Sequence, residues 1–158
     1  DRGVVLTTYG VVQSEANALS NDPTRAPLFS VRWRRIVLDE AHYIKNRATA
    51  TAKAVFRLEG ERRWAVTGTP VQNKIDDLYS LLHFLKMDRW GDHAWWEKHF
   101  RKPFVEDKDV SAMTNLHAAL RPLLLMRTKA SPDPDGNPIV TLPPKTVELV
   151  ELEFSPEE

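Results

Sequence analysis

The chain reads as an α/β domain built on a parallel sheet, and three observations lead there. Up to residue 86, short apolar or β-branched runs alternate with helical stretches in the order strand, helix, strand, helix, strand, helix. The second of these runs, Ile36-Val37-Leu38, is continuously apolar, as suits a parallel strand covered on both faces. It leads directly into Asp39-Glu40, two adjacent carboxylates that are costly to bury without positive compensation.

Each element has its own warrant. Val4-Val5-Leu6-Thr7-Thr8-Tyr9 predicts a β-branched strand, punctuated by Gly10 before a helix to about Leu19. The polar, Pro-containing stretch from Asn21 to Pro27 predicts a loop, and Arg35 to Asp39 the second strand. Ala48 to Leu58, rich in Ala with Lys and Arg at helical spacing, predicts a helix that Gly60 can end. Trp64-Ala65-Val66-Thr67 predicts a third short strand, closing on Gly68-Thr69-Pro70. From Asp77 to Lys86, Leu78, Leu81, Leu82 and Leu85 recur as one apolar helical stripe that serves core packing.

Beyond residue 86 the character changes. Trp90, Trp95, Trp96, Phe100 and Phe104 crowd together before a helical 113–125 segment, which predicts an appended helical protrusion. Those aromatics suit core packing better than a contact surface, given the area each buries. Five prolines and an Asp135-Gly136 turn between Ser131 and Pro144 predict a linker, and Thr146 to Phe154 a strand of a further subdomain. The expected domains are therefore 1–86, 87–129 and 130–158.

Bulk properties narrow the function classes. No run of about eighteen apolar residues could span a membrane, and no signal-peptide pattern opens the chain. Cysteine is absent, which excludes disulfides and cysteine-ligated zinc and fits a reducing compartment. Zero net charge hides an asymmetry: ten basic residues against four acidic ones between Arg25 and Arg63, and seven acidic against Lys145 alone from Ser131 onward. A basic front half suits a phosphate-rich partner, and solvated helix faces account for it equally well. The strand-like start and the Ser155-Pro156-Glu157-Glu158 helix-start signal at the end suggest a piece of a longer protein.

The chemistry centres on Asp39 and Glu40. In P-loop enzymes an aspartate on such a strand holds the magnesium that accompanies nucleotide phosphates, and the next carboxylate can orient or deprotonate a water. A plainer role for Asp39 is to cap the following helix.

Three ordered segments carry a resemblance. Thr7-Thr8-Tyr9-Gly10, then Val37-Leu38-Asp39-Glu40-Ala41-His42-Tyr43-Ile44-Lys45-Asn46, then Ala65-Val66-Thr67-Gly68-Thr69-Pro70-Val71-Gln72-Asn73 resemble the first motor lobe of Swi/Snf-type helicase-like ATPases. Arg121-Pro122, Arg127-Thr128-Lys129 and Leu142-Pro143-Pro144-Lys145 resemble the signature that follows that lobe. Trp64 and Trp95-Trp96 point to the RING-bearing branch associated with DNA-damage tolerance and transcription termination. The resemblance covers nearly the whole chain and implies part of a RecA-like P-loop lobe. It implies ATP and Mg2+ as cofactors, double-stranded DNA as partner, chromatin or ubiquitin-pathway proteins as further partners, and a nuclear location.

Residue by residue, the resemblance implies that Asp39 holds magnesium through water and that Glu40 is the general base or water-positioning group. His42 would sit on the nucleotide side and link hydrolysis to DNA contacts; its plainer and less favoured reading is a surface histidine on a turn. Thr67, Gly68 and Thr69 would relay nucleotide state to a second lobe, or simply turn the chain and cap the next helix. Thr7, Thr8 and Tyr9 would lie along one DNA strand and fix position without reading sequence.

The sequence also departs from the family. No Gly-x-x-x-x-Gly-Lys-Ser/Thr phosphate loop occurs between Asp1 and Glu158, and the arginine finger of a second lobe is absent. In the family the loop precedes these motifs, so truncation is the expected reason, and this stretch alone is expected to be inactive. Met126 stands where many relatives carry an arginine. The expected function is a share in an ATP-dependent translocase on duplex DNA. A catalytically silent motor-like scaffold and an RNA- or DNA-unwinding helicase are the competing classes.

Overall fold

The computed structural model describes residues 3–68, 75–106, 110–128, 131–141 and 143–150. Thr69 to Asn73, Lys129, Leu142 and the 151–158 end of the predicted last strand and helix start lie outside the described residues. Contacts divide the chain into two compact units, Asp1–His117 and Ala118–Glu158.

In the first unit, α1 (Tyr9–Ala18) follows an extended 3–8 segment that forms no ladder among the described residues. The strand expected over 4–9 is therefore corrected. The Thr8 side chain accepts from Val11 N at 3.3 Å, and Thr8 O accepts from Val12 N at 3.1 Å. An N-cap at Thr8 starts the helix one residue later, so Gly10 falls inside its first turn.

β1 (Trp33–Leu38) and β2 (Gly60–Ala65) pair in parallel, with Trp33 opposite Gly60 and Leu38 opposite Ala65. Between them lie a 3-10 turn, Ala41–Ile44, and α2 (Ala50–Arg57), so the crossover is a helix as parallel pairing requires. β2 begins four residues earlier than expected, because pairing with the early start of β1 sets its register. Gly60 therefore opens a strand instead of closing a helix. It allows a close approach there: a Cβ would lie 2.7 Å from the Ile36 side chain. α2 closes at Leu58, whose extended backbone turns into the strand.

Ile36 and Leu38 are buried, whereas Val37 is 55% exposed, so the strand is covered on one face only. That corrects the expectation of two covered faces: a helix layer of Val12, Ala16, Ala52, Val55 and Leu58 packs beneath one side of the two-stranded sheet. α3 (Ile75–Phe84) buries Leu78, Leu81 and Leu82 as its stripe predicts, and Leu85, just past its end, is half-buried. The segment beyond is helical as expected: α4 (His93–Trp96), a π turn Glu97–Arg101, α5 (Lys102–Val105) and α6 (Val110–Leu120). Trp96 is fully buried, with Tyr79 and Phe100 ring centroids 5.7 and 5.1 Å away, so Trp96 and Phe100 pack as core, whereas Trp90, Trp95 and Phe104 are only half-buried.

In the second unit, Asp133 Oδ1 accepts from the amides of Asp135 and Asn137 at 2.9 and 2.8 Å. Gly136 takes a φ of 87°, which a residue with a Cβ adopts at a cost, and the expected Asp135-Gly136 turn results. Residues 146–150 pair in no ladder among the described residues, so the strand expected over Thr146 to Phe154 does not form in that part; 151–154 lie outside the described residues. Alternating side chains do not make a strand without a ladder partner. Among the described residues, no helix is long and apolar enough to cross a membrane.

Candidate nucleotide-hydrolysis edge

β1 ends where the chain must leave the sheet, and the departure shapes the site. Val66 N donates to Leu38 O and Ala41 N donates to Val66 O, both at 2.8 Å. The two carboxylates are thereby bracketed, and the segment carrying Thr67 and Gly68 runs beside them. Asp39 and Glu40 are both exposed. Their position at a strand end is as expected, but they pay no desolvation cost, because the backbone turns outward at Glu40.

That turn is conformationally unusual. Glu40 sits in the left-handed region at φ 48°, ψ 49°, which costs a residue with a side chain about 1 kcal/mol or more. Asp39 Oδ1 accepts from Glu40 N at 3.0 Å, and Glu40 O accepts from Tyr43 N at 3.0 Å. Asp39 thus holds the turn itself and does not cap the helix after it. The turn is pinned from below by Ala41 and Ile44, both fully buried, and the buried Ser80 hydroxyl donates to Ile44 O at 2.5 Å.

Side chains gather around this backbone. His42 Nδ1 lies 3.0 Å from Glu40 Oε2, close enough for an ion pair when the ring is protonated, though not aligned as a hydrogen bond. Tyr43 stacks on His42 with ring centroids 4.8 Å apart, and Tyr9 lies 5.3 Å from Tyr43. The Tyr9 hydroxyl donates to Asp39 O at 2.8 Å. Burial, then the negative charges of Asp39 and Glu40, push the Tyr9 phenol up to about 12, so it stays a donor at every physiological pH.

Of the residues singled out in the sequence, Asp39, Glu40, His42 and Tyr9 come together in one cluster. Thr67, half-buried, and Gly68, exposed with open space where a Cβ would stand, follow Val66 next to it. Thr7 and Thr8 are exposed on the run into α1, with the Thr8 hydroxyl used as its cap. A cavity of about 270 Å³ beside β1 is bordered by Thr7, Thr8, Tyr9 and Asp39 on one side and by Ile36 and Val55 on another. Thr69, Gln72 and Asn73 lie outside the described residues. Tyr43 was not singled out as a site residue. An exposed aromatic directly after the Asp-Glu-Ala-His run is the signal that could have found it.

The profile of the SNF2-related domain matches residues 1–158. The chain belongs to the SNF2-related domain family. Among this family's curated proteins, DNA repair protein RAD5 of Candida glabrata is 45% identical over 159 residues, covering 96% of this chain and 14% of that protein. RAD5A of Arabidopsis thaliana is 46% identical, covering 98% of this chain and 15% of that protein. Rad8 of Schizosaccharomyces pombe is 43% identical, covering 98% and 13%. This SNF2-related chain therefore spans about a seventh of the length of the curated relatives it matches. The Sulfolobus solfataricus SWI2/SNF2 ATPase core in complex with double-stranded DNA matches at a TM-score of 0.64 and 37% identity, covering 80% of this chain and 25% of that one. The Sulfolobus solfataricus SWI2/SNF2 ATPase core domain matches at a TM-score of 0.59 and 37% identity, covering 83% of this chain and 27% of that one. The parallel two-stranded sheet and its helices are thus part of a RecA-like SWI2/SNF2 lobe, as the resemblance implied.

Proposed function

We propose that the chain forms part of the first motor lobe of an ATP-dependent translocase on double-stranded DNA, with Glu40 activating water for ATP hydrolysis. The observation that carries the reading is the Asp39-Glu40 turn at the carboxyl end of a parallel strand, with Glu40 in a left-handed conformation. Ligands bind at this end of α/β sheets. A backbone held in a costly region is over-determined by its surroundings and clusters at functional sites. The carboxylates are exposed, so desolvation does not argue against a silent scaffold; the strained turn does.

The chemistry follows from the donors. The Glu40 carboxylate takes a proton from a water whose oxygen attacks the γ-phosphorus, and the bond to the β–γ bridging oxygen breaks to leave ADP and inorganic phosphate. Asp39 offers hard oxygen ligands, of which Oδ1 is held by Glu40 N, and this fits a magnesium bound through water. When bound, magnesium neutralises charge on the phosphates.

His42, beside Glu40, links the hydrolytic edge to its surroundings, and Thr67, Gly68 and Thr69 relay the nucleotide state onward. Thr7 and Thr8 supply contacts to the DNA backbone, so binding is salt-sensitive and nearly sequence-blind. The relatives named as DNA repair proteins support a nuclear site of action; chromatin and ubiquitin-pathway partners follow from the family resemblance alone.

Glu40→Gln in the full-length protein tests the reading. ATP binding is expected to persist while DNA-stimulated hydrolysis falls by at least about 100-fold, the contribution of a positioned general base. Turnover within twofold of wild type would overturn it.

A further inference from the structure

The Tyr9 hydroxyl is taken up by the backbone of the carboxylate turn. Tyr9 and Asp39 are 30 residues apart, yet the hydroxyl donates to Asp39 O at 2.8 Å, the carbonyl immediately before the left-handed Glu40. The same ring is the outermost of a stack. Tyr43 lies 5.3 Å from it, His42 lies 4.8 Å from Tyr43, and His42 Nδ1 is 3.0 Å from the Glu40 carboxylate. Tyr9 therefore meets Glu40 from two directions: through the backbone that precedes it and through the rings that end on its side chain.

The anchor behind Tyr9 is firm. Thr8 caps the helix that Tyr9 opens, and Val12 and Ala16 of that helix are buried. Its outer side is tied to α2 by Thr51 Oγ1 donating to Gln13 Oε1 at 2.7 Å and by Arg57 Nη1 donating to Ala16 O at 3.1 Å. The segment just before it, Thr7 and Thr8, is exposed. The Tyr9 phenol is thus a direct link between that segment and the Asp39-Glu40 turn.

We propose that Tyr9 is a positioning residue for ATP hydrolysis, holding the Asp39-Glu40 turn by its hydroxyl and coupling occupancy of the Thr7-Thr8 segment to the orientation of Glu40. The proposal rests on the ATPase reading given above. A turn in a costly backbone region keeps its shape only while its neighbours constrain it, and a shift of about 1 Å in a catalytic group can cost up to about 100-fold in rate.

The test uses the full-length protein and compares Tyr9→Phe and Tyr9→Leu with wild type and Glu40→Gln. Tyr9→Phe keeps the ring stack and removes only the hydroxyl. Its kcat at saturating duplex DNA is expected to fall about tenfold, with KM for ATP and Kd for DNA each within about twofold. Tyr9→Leu, which also loses the stack, is expected to fall further. A Tyr9→Phe enzyme with wild-type kcat at saturating DNA would overturn the proposal, as would a loss confined to DNA affinity, which would make Tyr9 a plain DNA contact. An active Glu40→Gln would instead remove the ATPase reading itself. An inactive Glu40→Gln beside a wild-type Tyr9→Phe would remove only the role given to Tyr9.

Discussion

The Asp39–Gly68 edge and the junction of α3 with the aromatic segment belong to the same compact unit but are built by opposite rules. At the junction Leu78, Tyr79, Leu82, Phe84, Trp96 and Phe100 are all buried, and apolar area holds them together. At the edge Asp39, Glu40, Val66 and Gly68 are exposed, and a costly turn is held by a few backbone hydrogen bonds, the Asp39 carboxylate, one phenol and the two buried side chains of Ala41 and Ile44. Stability is concentrated where no chemistry is proposed, and the chemistry stands on a rim with little packing of its own. One hydroxyl joins the two: Ser80 of α3 donates to Ile44 O, at the far end of the turn that carries Glu40 and His42.

Perturbing each region should separate these rules. Trp96→Ala is expected to destabilise the chain by about 3–5 kcal/mol in urea denaturation, because it empties a fully buried site. Trp96→Phe should cost much less, since the indole N–H has no partner among the described residues. A cost for Trp96→Ala below about 1 kcal/mol would show that the junction is not core. Ser80→Ala leaves a carbonyl behind at the link, and a loss of about 1–3 kcal/mol is expected in the same measurement.

At the rim the sign should reverse. Glu40→Gly is expected to be about 1 kcal/mol more stable than Glu40→Ala, because only glycine occupies the left-handed region without a Cβ penalty. Equal stabilities would mean that the turn stores no strain. The smallest effect concerns pH. The Tyr9 phenol is raised from 10.0 to about 12, so its contribution is complete below pH 10 and is lost as pH rises towards 12. Stability measured across that window should fall less steeply in Tyr9→Phe than in wild type.

How far the sequence reached depended on whether a pattern was local. The stripe of Leu78, Leu81, Leu82 and Leu85 is complete within one helix, and its burial was legible from spacing alone. The Asp135-Gly136 turn was legible for the same reason. The strand at Trp64 was placed too late because its start depends on which residue of β1 it faces, and Trp33 is 27 positions from Gly60. Val4 to Tyr9 and Thr146 to Val150 have the side chains of strands, but a strand is made by its partner. Thr8 found a different use as a helix cap.

The sequence by itself determined the strand–helix–strand–helix order from β1 to α3, the placing of Asp39 and Glu40 at the end of β1, and the family. Each is written in short runs whose residues act on their immediate neighbours. Only the tertiary structure decided that the carboxylates are exposed, that Glu40 is left-handed, and that the Tyr9 hydroxyl closes on Asp39 O. The physical reason is that each of these requires two segments distant in the chain to meet. The donor on α1 and the carbonyl at the end of β1 carry no mark of one another until α1 packs on α2 and the crossover brings β1 alongside.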